Sequence, residues 1–222
     1  MTHQPSQSDS RTQFGMDPLL LRMFEKLDLS RKPGSGMAAH MPLLQTLARF
    51  QSFGPVVECG VGEGFSTFAL FLGVLEGGGH LTSYDIRPEC QGQVLSLMEL
   101  EPRDNRLKSW RFTVRDSARA ARDWKDGSVS LFFLDTTHFL ETTRTELEAW
   151  SPKMHPQGIM CGHDYLLHLS PRPEDQKTAV KTAVDQFVAK HRERFRLQVF
   201  PDDFGLFVLW PREVELGGLQ VP

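Results

Sequence analysis

From Pro55 onward, short apolar runs alternate with segments of helical periodicity, and this alternation limits the fold more than any other feature of the chain. Strands are expected at 55–59 (PVVEC), 80–86 (HLTSYDI), 111–114, 129–134 (VSLFFL) and 158–161. Helices are expected between and after them: at 65–75, through Val94, Leu97 and Met98, at 117–124, at 140–150, and along a stripe of Val180, Ala183, Val184, Phe187 and Val188. Strands separated by helices pair in parallel, because the helix returns the chain to the same edge. The run 129–134 is apolar nearly throughout, as a strand covered on both faces should be. Two further strands, 195–200 and 205–210, flank a Pro-Asp-Asp turn and predict a closing hairpin. The implied fold is α/β, a Rossmann-like doubly wound seven-stranded sheet, mostly parallel with a terminal antiparallel hairpin. Turns are expected at Asp126-Gly127-Ser128 and Pro156-Gln157-Gly158.

The chain ahead of Pro55 reads differently. Residues 1–15 are rich in Ser and Gln and read as a flexible tail. A helix is expected at 16–29, with Asp17 as its cap and Pro18 in first position. The connector 31–36 (RKPGSG) leads to a second amphipathic helix at 38–50, with Met41, Leu44, Leu47 and Ala48 on one face. The expected organisation is a tail (1–15), a helical lid (16–52) and one domain (53–222).

Composition excludes several classes. The 222 residues carry 25 basic and 28 acidic side chains, a formal net charge of −3, with a sequence pI near 6.2. A general nucleic-acid binder needs a basic face, so none is expected. No apolar stretch reaches membrane-spanning length, and the first residues lack the apolar core of a secretion signal. Cys59, Cys90 and Cys161 are odd in number and widely spaced, so a cytoplasmic protein without disulfides is expected. Nothing specifies oligomeric state; a homodimer through the N-terminal helices is compatible with the sequence.

The first expected strand runs into Glu58-Cys59-Gly60-Val61-Gly62-Glu63-Gly64-Phe65-Ser66-Thr67. Three glycines between a strand and a helix let the backbone turn tightly and approach a ligand, with free amides at the helix start. Asp85 ends the second strand, 21 residues after Gly64, where a carboxylate can accept from both ribose hydroxyls. The third strand leads to Asp116-Ser117, where Asp116 either accepts from an adenine amino group or caps a helix. The spacing also suits NAD. The loop is G-V-G-E-G rather than G-x-G-x-x-G, however, and Ser66 and Thr67 suit an amino-acid carboxylate, which favours S-adenosylmethionine.

The strand at 129–134 delivers Asp135, followed by Thr136, Thr137 and His138, and the next delivers His163 and Asp164. Neighbouring strand ends bring these groups to one crevice. Asp135, His163 and Asp164 are candidate ligands of a divalent metal. His138, with an ordinary pKa of ~6.5, suits proton removal near neutrality. Methyl transfer to an alcohol needs such a base, a metal that acidifies the acceptor, or both. A zinc pair of Cys161 and His163 lacks further cysteine ligands. His40 either lines the pocket or is structural, and Trp150, Phe132 and Phe133 are expected in the core.

From about His40 to Trp210 the chain resembles class I S-adenosylmethionine-dependent methyltransferases, most closely the metal-dependent catechol-type and macrolide-sugar O-methyltransferases. The motifs that carry the resemblance are VVECGVGEGFST, LTSYDI, VRDS, LFFLDTTHFLETTRTELEAW and GIMCGHD. The resemblance implies that Gly60, Gly62 and Gly64 line the methionine portion of the cofactor and that Ser66 binds its carboxylate. It implies that Glu58 faces the amino group, directly or through water, that Asp85 binds ribose, and that Asp116 and Ser117 bind adenine. It makes Asp135, at the first metal position, and His138, the base, the catalytic pair, and a small-molecule hydroxyl the acceptor. His163 departs from the acidic residue of the family pattern, which leaves magnesium, a softer ion or no metal as alternatives. An NAD-type oxidoreductase and a non-catalytic S-adenosylmethionine-binding protein are the alternatives.

Overall fold

The computed structural model describes residues 36–167 and 179–212. The expected helix at 16–29, most of the connector 31–36 and the tail lie outside the described residues. A short 3-10 turn, Ala38–His40, precedes α1 (Met41–Phe50). The chain then runs through β1 (Val56–Cys59), α2 (Phe65–Gly77), β2 (Leu81–Asp85), α3 (Cys90–Met98), β3 (Trp110–Val114) and α4 (Ser117–Ala120). It continues through β4 (Val129–Leu134), α5 (Leu140–Trp150), β5 (Met154–Gly162), α6 (Ala179–Lys190), β6 (Phe195–Phe200) and β7 (Leu206–Pro211).

The seven strands form one sheet in the order β3-β2-β1-β4-β5-β7-β6. The first five are parallel, and β7 inserts antiparallel between β5 and β6. This is the expected sheet with its closing hairpin. All six residues of β4 are buried because both faces of the sheet are covered. Alternate residues feed two cores: Val56, Leu131 and Phe133 pack toward α1, α2 and α3, while Val57, Phe132 and Leu134 pack toward α5 and α6.

One local expectation is corrected. The turn at Pro156-Gln157-Gly158 is absorbed into β5, which runs on from Met154. Val129 pairs with Met154 and Leu131 with Ile159, so two steps along β4 match five along β5. Pro156 has no amide to give the ladder, and a Cβ on Gly158 would lie 2.7 Å from the Val129 carbonyl oxygen. The strand therefore accommodates these residues as a bulge.

Trp150 anchors the second core. It is fully buried, its ring stacks on Phe132 at 4.8 Å, and its Nε1 donates to the Ser117 carbonyl at 3.2 Å. Trp150→Ala is expected to cost about 3–5 kcal/mol by cavity formation, read by urea unfolding. A change below 1 kcal/mol would remove Trp150 as an anchor.

Candidate active site

The parallel strand ends β1, β2, β4 and β5 open on one cavity of about 680 Å³. Gly60 turns the chain there with φ +88°, and a Cβ on it would lie 1.9 Å from the Asp135 carbonyl oxygen. The glycine loop therefore rests directly on the segment after β4. Gly60 and Gly62 line the cavity, whereas Gly64 packs behind it against Val94.

Asp85 fastens the loop from the β2 side. One carboxylate oxygen accepts from the amides of Val61 (2.9 Å) and Gly62 (3.3 Å), the other from the Arg87 amide (2.9 Å). Burial opposes ionisation of Asp85, but the Arg87, Val61 and Gly62 amides outweigh it and hold its pKa below the usual value. Asp85 remains on the cavity wall, beside Ile86 and Arg87.

Glu58 does not stand where the sequence placed it. It is fully buried and absent from the cavity wall, and it accepts hydroxyl hydrogen bonds from Ser66 (2.7 Å), Thr67 (2.7 Å) and Ser83 (2.6 Å). A buried carboxylate must find donors; here they are the two hydroxyls of α2 and one of β2. Burial raises its pKa to about 7. Ser66 lines the cavity, but its hydroxyl proton is given to Glu58.

Asp116 and Ser117 both reach the cavity. The Asp116 carboxylate accepts from the Arg119 amide at 2.9 Å, so the capping alternative is realised in α4. His40 is buried and turned away, its Nε2 bonded to the Asp202 carbonyl at 2.7 Å.

At the other end of the cavity two carboxylates meet two imidazoles. His138 Nε2 lies 2.5 Å from Asp164 Oδ2 and 4.0 Å from Asp135 Oδ1. His163 Nε2 pairs with the Asp203 carbonyl at 2.6 Å, which turns Nδ1 toward Asp164 (3.3 Å) and Asp135 (3.9 Å). Hydrogen bonding to Asp135, then to Asp164, raises the His138 pKa to about 10. Burial works against ionised Asp164, but His138 and His163 hold its pKa well below the usual range. The two carboxylates thus hold the His138 pKa well above the ~6.5 of a free imidazole. Asp203, Phe204 and Gly205, which form the hairpin tip beside His163, all have positive φ (40°, 64° and 84°).

The donor set fits a divalent ion. Ligand atoms of Asp135, His138 and Asp164 lie within 4.8 Å of one another. The nearest triple thus includes His138 rather than the expected His163. The His163 Nε2 contact to the Asp203 carbonyl fixes the ring so that Nδ1 is left to face an ion. Mixed imidazole and carboxylate donors favour zinc, iron or nickel over magnesium.

Sequence reasoning missed Glu146. It lies on α5, only 3% exposed, on the cavity wall, and Thr136 donates to both its oxygens at 2.8 Å. The signal was present: Thr143, Glu146, Leu147 and Trp150 share the buried face of α5, so an acid sits at an inward position. Burial raises its pKa to about 7.

A glycine loop after β1, an acid ending β2 and an antiparallel β7 inserted in a seven-stranded sheet are the features of the class I methyltransferase fold. Residues 57–165 match the family described as "Methyltransferase domain". No curated protein matches by sequence. Among solved structures, a Corynebacterium glutamicum protein is similar at 19% identity and TM-score 0.67, covering 93% of this chain and 95% of its own. An S-adenosylhomocysteine-bound methyltransferase from Podospora anserina is similar at 13% identity and TM-score 0.62, covering 96% and 100%. An O-methyltransferase from Bacillus cereus in complex with S-adenosylhomocysteine is similar at 16% and 0.63, covering 90% and 94%.

The His138 resonance is expected to titrate near pH 10 by NMR in chelated protein, and near 6.5 in Asp164→Asn with Asp135 also neutralised. The folded pKa is raised, so the pair's stabilisation is full below about 6.5 and is lost as pH rises through about 10. Titration of the wild-type imidazole near 6.5 would refute the ion pair.

Proposed function

We propose that the chain is an S-adenosylmethionine-dependent O-methyltransferase acting on a hydroxyl of a small molecule, such as a sugar or a diol-like compound. The observation that carries this reading is that one cavity is lined both by Asp85, Asp116 and Ser117 and by Asp135, His138 and Asp164. The first group suits a nucleoside and the second an acceptor oxygen. Methyl transfer needs both ends in line, so that acceptor oxygen, methyl carbon and sulfur are collinear. The bound S-adenosylhomocysteine of the Podospora and Bacillus proteins supports the cofactor. The antiparallel β7 and the family match weigh against the NAD-type alternative.

In this reading the glycine loop receives the methionine portion and Asp85 accepts from the ribose hydroxyls, sharing the oxygen that now holds Val61 and Gly62. Asp116 and Ser117 lie at the base. Asp135, Asp164 and His138 or His163 would hold a divalent ion, which supplies acidification of the acceptor hydroxyl. His138 accepts the acceptor's proton only after losing its own, which its pairing with Asp164 resists. The whole of 53–222 forms the methyltransferase domain, 16–52 a helical lid and 1–15 a tail. A cytoplasmic location, a homodimer and the absence of nucleic-acid and membrane partners complete the proposal; no described helix is long and apolar enough to cross a membrane.

Calorimetry with S-adenosylhomocysteine tests the cofactor. Wild type is expected to bind, and Asp85→Ala to bind about 10- to 100-fold more weakly, the worth of a charged hydrogen-bond acceptor. Equal affinities would sink the assignment. Elemental analysis of chelator-free protein tests the metal. About one transition-metal equivalent is expected in wild type and a clear loss in Asp135→Ala; the same content in both would rule Asp135 out as a ligand.

A further inference from the structure

The acid–imidazole end of the cavity carries one side chain whose placement neither local conformation nor burial explains. Phe204, at the tip of the β6–β7 hairpin, has φ +64°. A glycine or asparagine takes that conformation readily, whereas a bulky side chain there is an outlier. Residues held in this way cluster at functional sites, where the surrounding structure over-determines them. Burial does not supply the reason, because Phe204 is 46% exposed. It stands instead on the cavity wall, together with Met37 and Leu167. Its carbonyl accepts from the Leu166 amide at 2.7 Å, and the carbonyl before it, that of Asp203, holds His163 Nε2. The ring is backed by the chain at Gly36, where a Cβ would lie 2.5 Å from Phe204 Cδ2 and 3.4 Å from His163 Cε1. Leu167 is tied to the same cluster through its amide, which donates to the Asp164 carbonyl at 3.1 Å.

We propose that Phe204 is a specificity-determining residue for the acceptor: its ring offers an apolar platform beside the Asp135–His138–Asp164 cluster, and the acceptor lays a flat apolar face on it. This rests on the methyltransferase reading and narrows the acceptor within it. The cluster meets the hydroxyl edge of the acceptor, while Phe204, Met37 and Leu167 cover the apolar body next to that edge. Stacking on Phe204 removes from water the part of the side chain that the fold leaves exposed, and an aromatic face adds a preference of orientation. A sugar with hydroxyls around its whole ring would turn some of them toward Phe204 and Leu167, whose side chains have no polar atom to meet them.

The test is calorimetry on the full chain with two vicinal diols, 2,3-dihydroxynaphthalene and cis-1,2-cyclohexanediol, each titrated with and without S-adenosylhomocysteine. Both carry neighbouring hydroxyls, and only the first is flat. Wild type is expected to bind the naphthalene diol about tenfold or more tightly than the cyclohexane diol. Phe204→Leu keeps an apolar side chain without a flat face; it is expected to weaken the naphthalene diol about fivefold and to leave the cyclohexane diol within about twofold. Phe204→Tyr keeps the ring and is expected to keep the wild-type preference. A merely structural role, acting through displacement of His163, would weaken both diols alike. The proposal is overturned if wild type binds the two diols equally or binds neither, or if Phe204→Leu retains the full preference or weakens both alike. The wild-type comparison needs no variant, so poor folding of Phe204→Leu would not leave the question open. Wild type that does not bind S-adenosylhomocysteine would remove the methyltransferase reading, and the titrations without it report on Phe204 separately.

Discussion

A carboxylate sealed from water must be satisfied by its neighbours, and Glu58 imposes that condition on the centre of the molecule. Its oxygens bind hydroxyls from α2 and β2. Ser83 in turn accepts from Trp110 Nε1 at 3.0 Å, which extends the network to β3. Three strands and the helix after the glycine loop are thereby held in one relation. The loop cannot shift relative to β2 without stranding a buried charge, which costs several kcal/mol. Asp85 grips the same loop from its outer side through backbone amides. The Asp85 end of the cavity is thus fixed by the fold itself, as pre-organised binding requires.

The far end is built on a different principle. Asp135 and Asp164 face His138 and His163 in a partly open pocket, where the arrangement is satisfied by protons or by a cation of higher charge. The two ends are not independent, because Gly60 sits against the Asp135 carbonyl with no room for a side chain. A movement of the loop is a movement of the acid. Binding at one end therefore has a direct mechanical route to the other, across one van der Waals contact.

The sheet was legible because burial on both faces leaves a plain signature: β4 and α5 begin and end at the residues that apolar runs and helical spacing indicate. Asp85, Asp116, Ser117, Asp135, His138, His163 and Asp164 fall on one cavity because strand ends in such a sheet converge. What was not legible depends on contacts distant in sequence. Whether Glu58 faces a ligand or three hydroxyls is decided by Ser83, 25 positions away. The raised pKa of His138 depends in part on Asp164, which follows another strand. The bulge in β5 carries the Pro and Gly that ordinarily mark a turn, and only pairing with β4 distinguishes the two outcomes. Glu146 was overlooked because helical spacing identifies an inward position without saying what lies inside.

The strained tip of the β6–β7 hairpin bears on how the molecule matures. Asp203 gives its carbonyl to His163 and its carboxylate to the Ala39 amide at 2.7 Å, and Asp202 gives its carbonyl to His40. These contacts span 162 and 164 positions in the chain for the two N-terminal partners. Contacts of such separation form late, after the loop-closure entropy of the intervening chain has been overcome. During synthesis the glycine loop and β1 to β4 can assemble long before residue 203 emerges. Until then the His163 ring lacks its Asp203 partner. The Asp85 end of the cavity is thus an early product of folding, while the acid–imidazole cluster is finished by almost the last strand made.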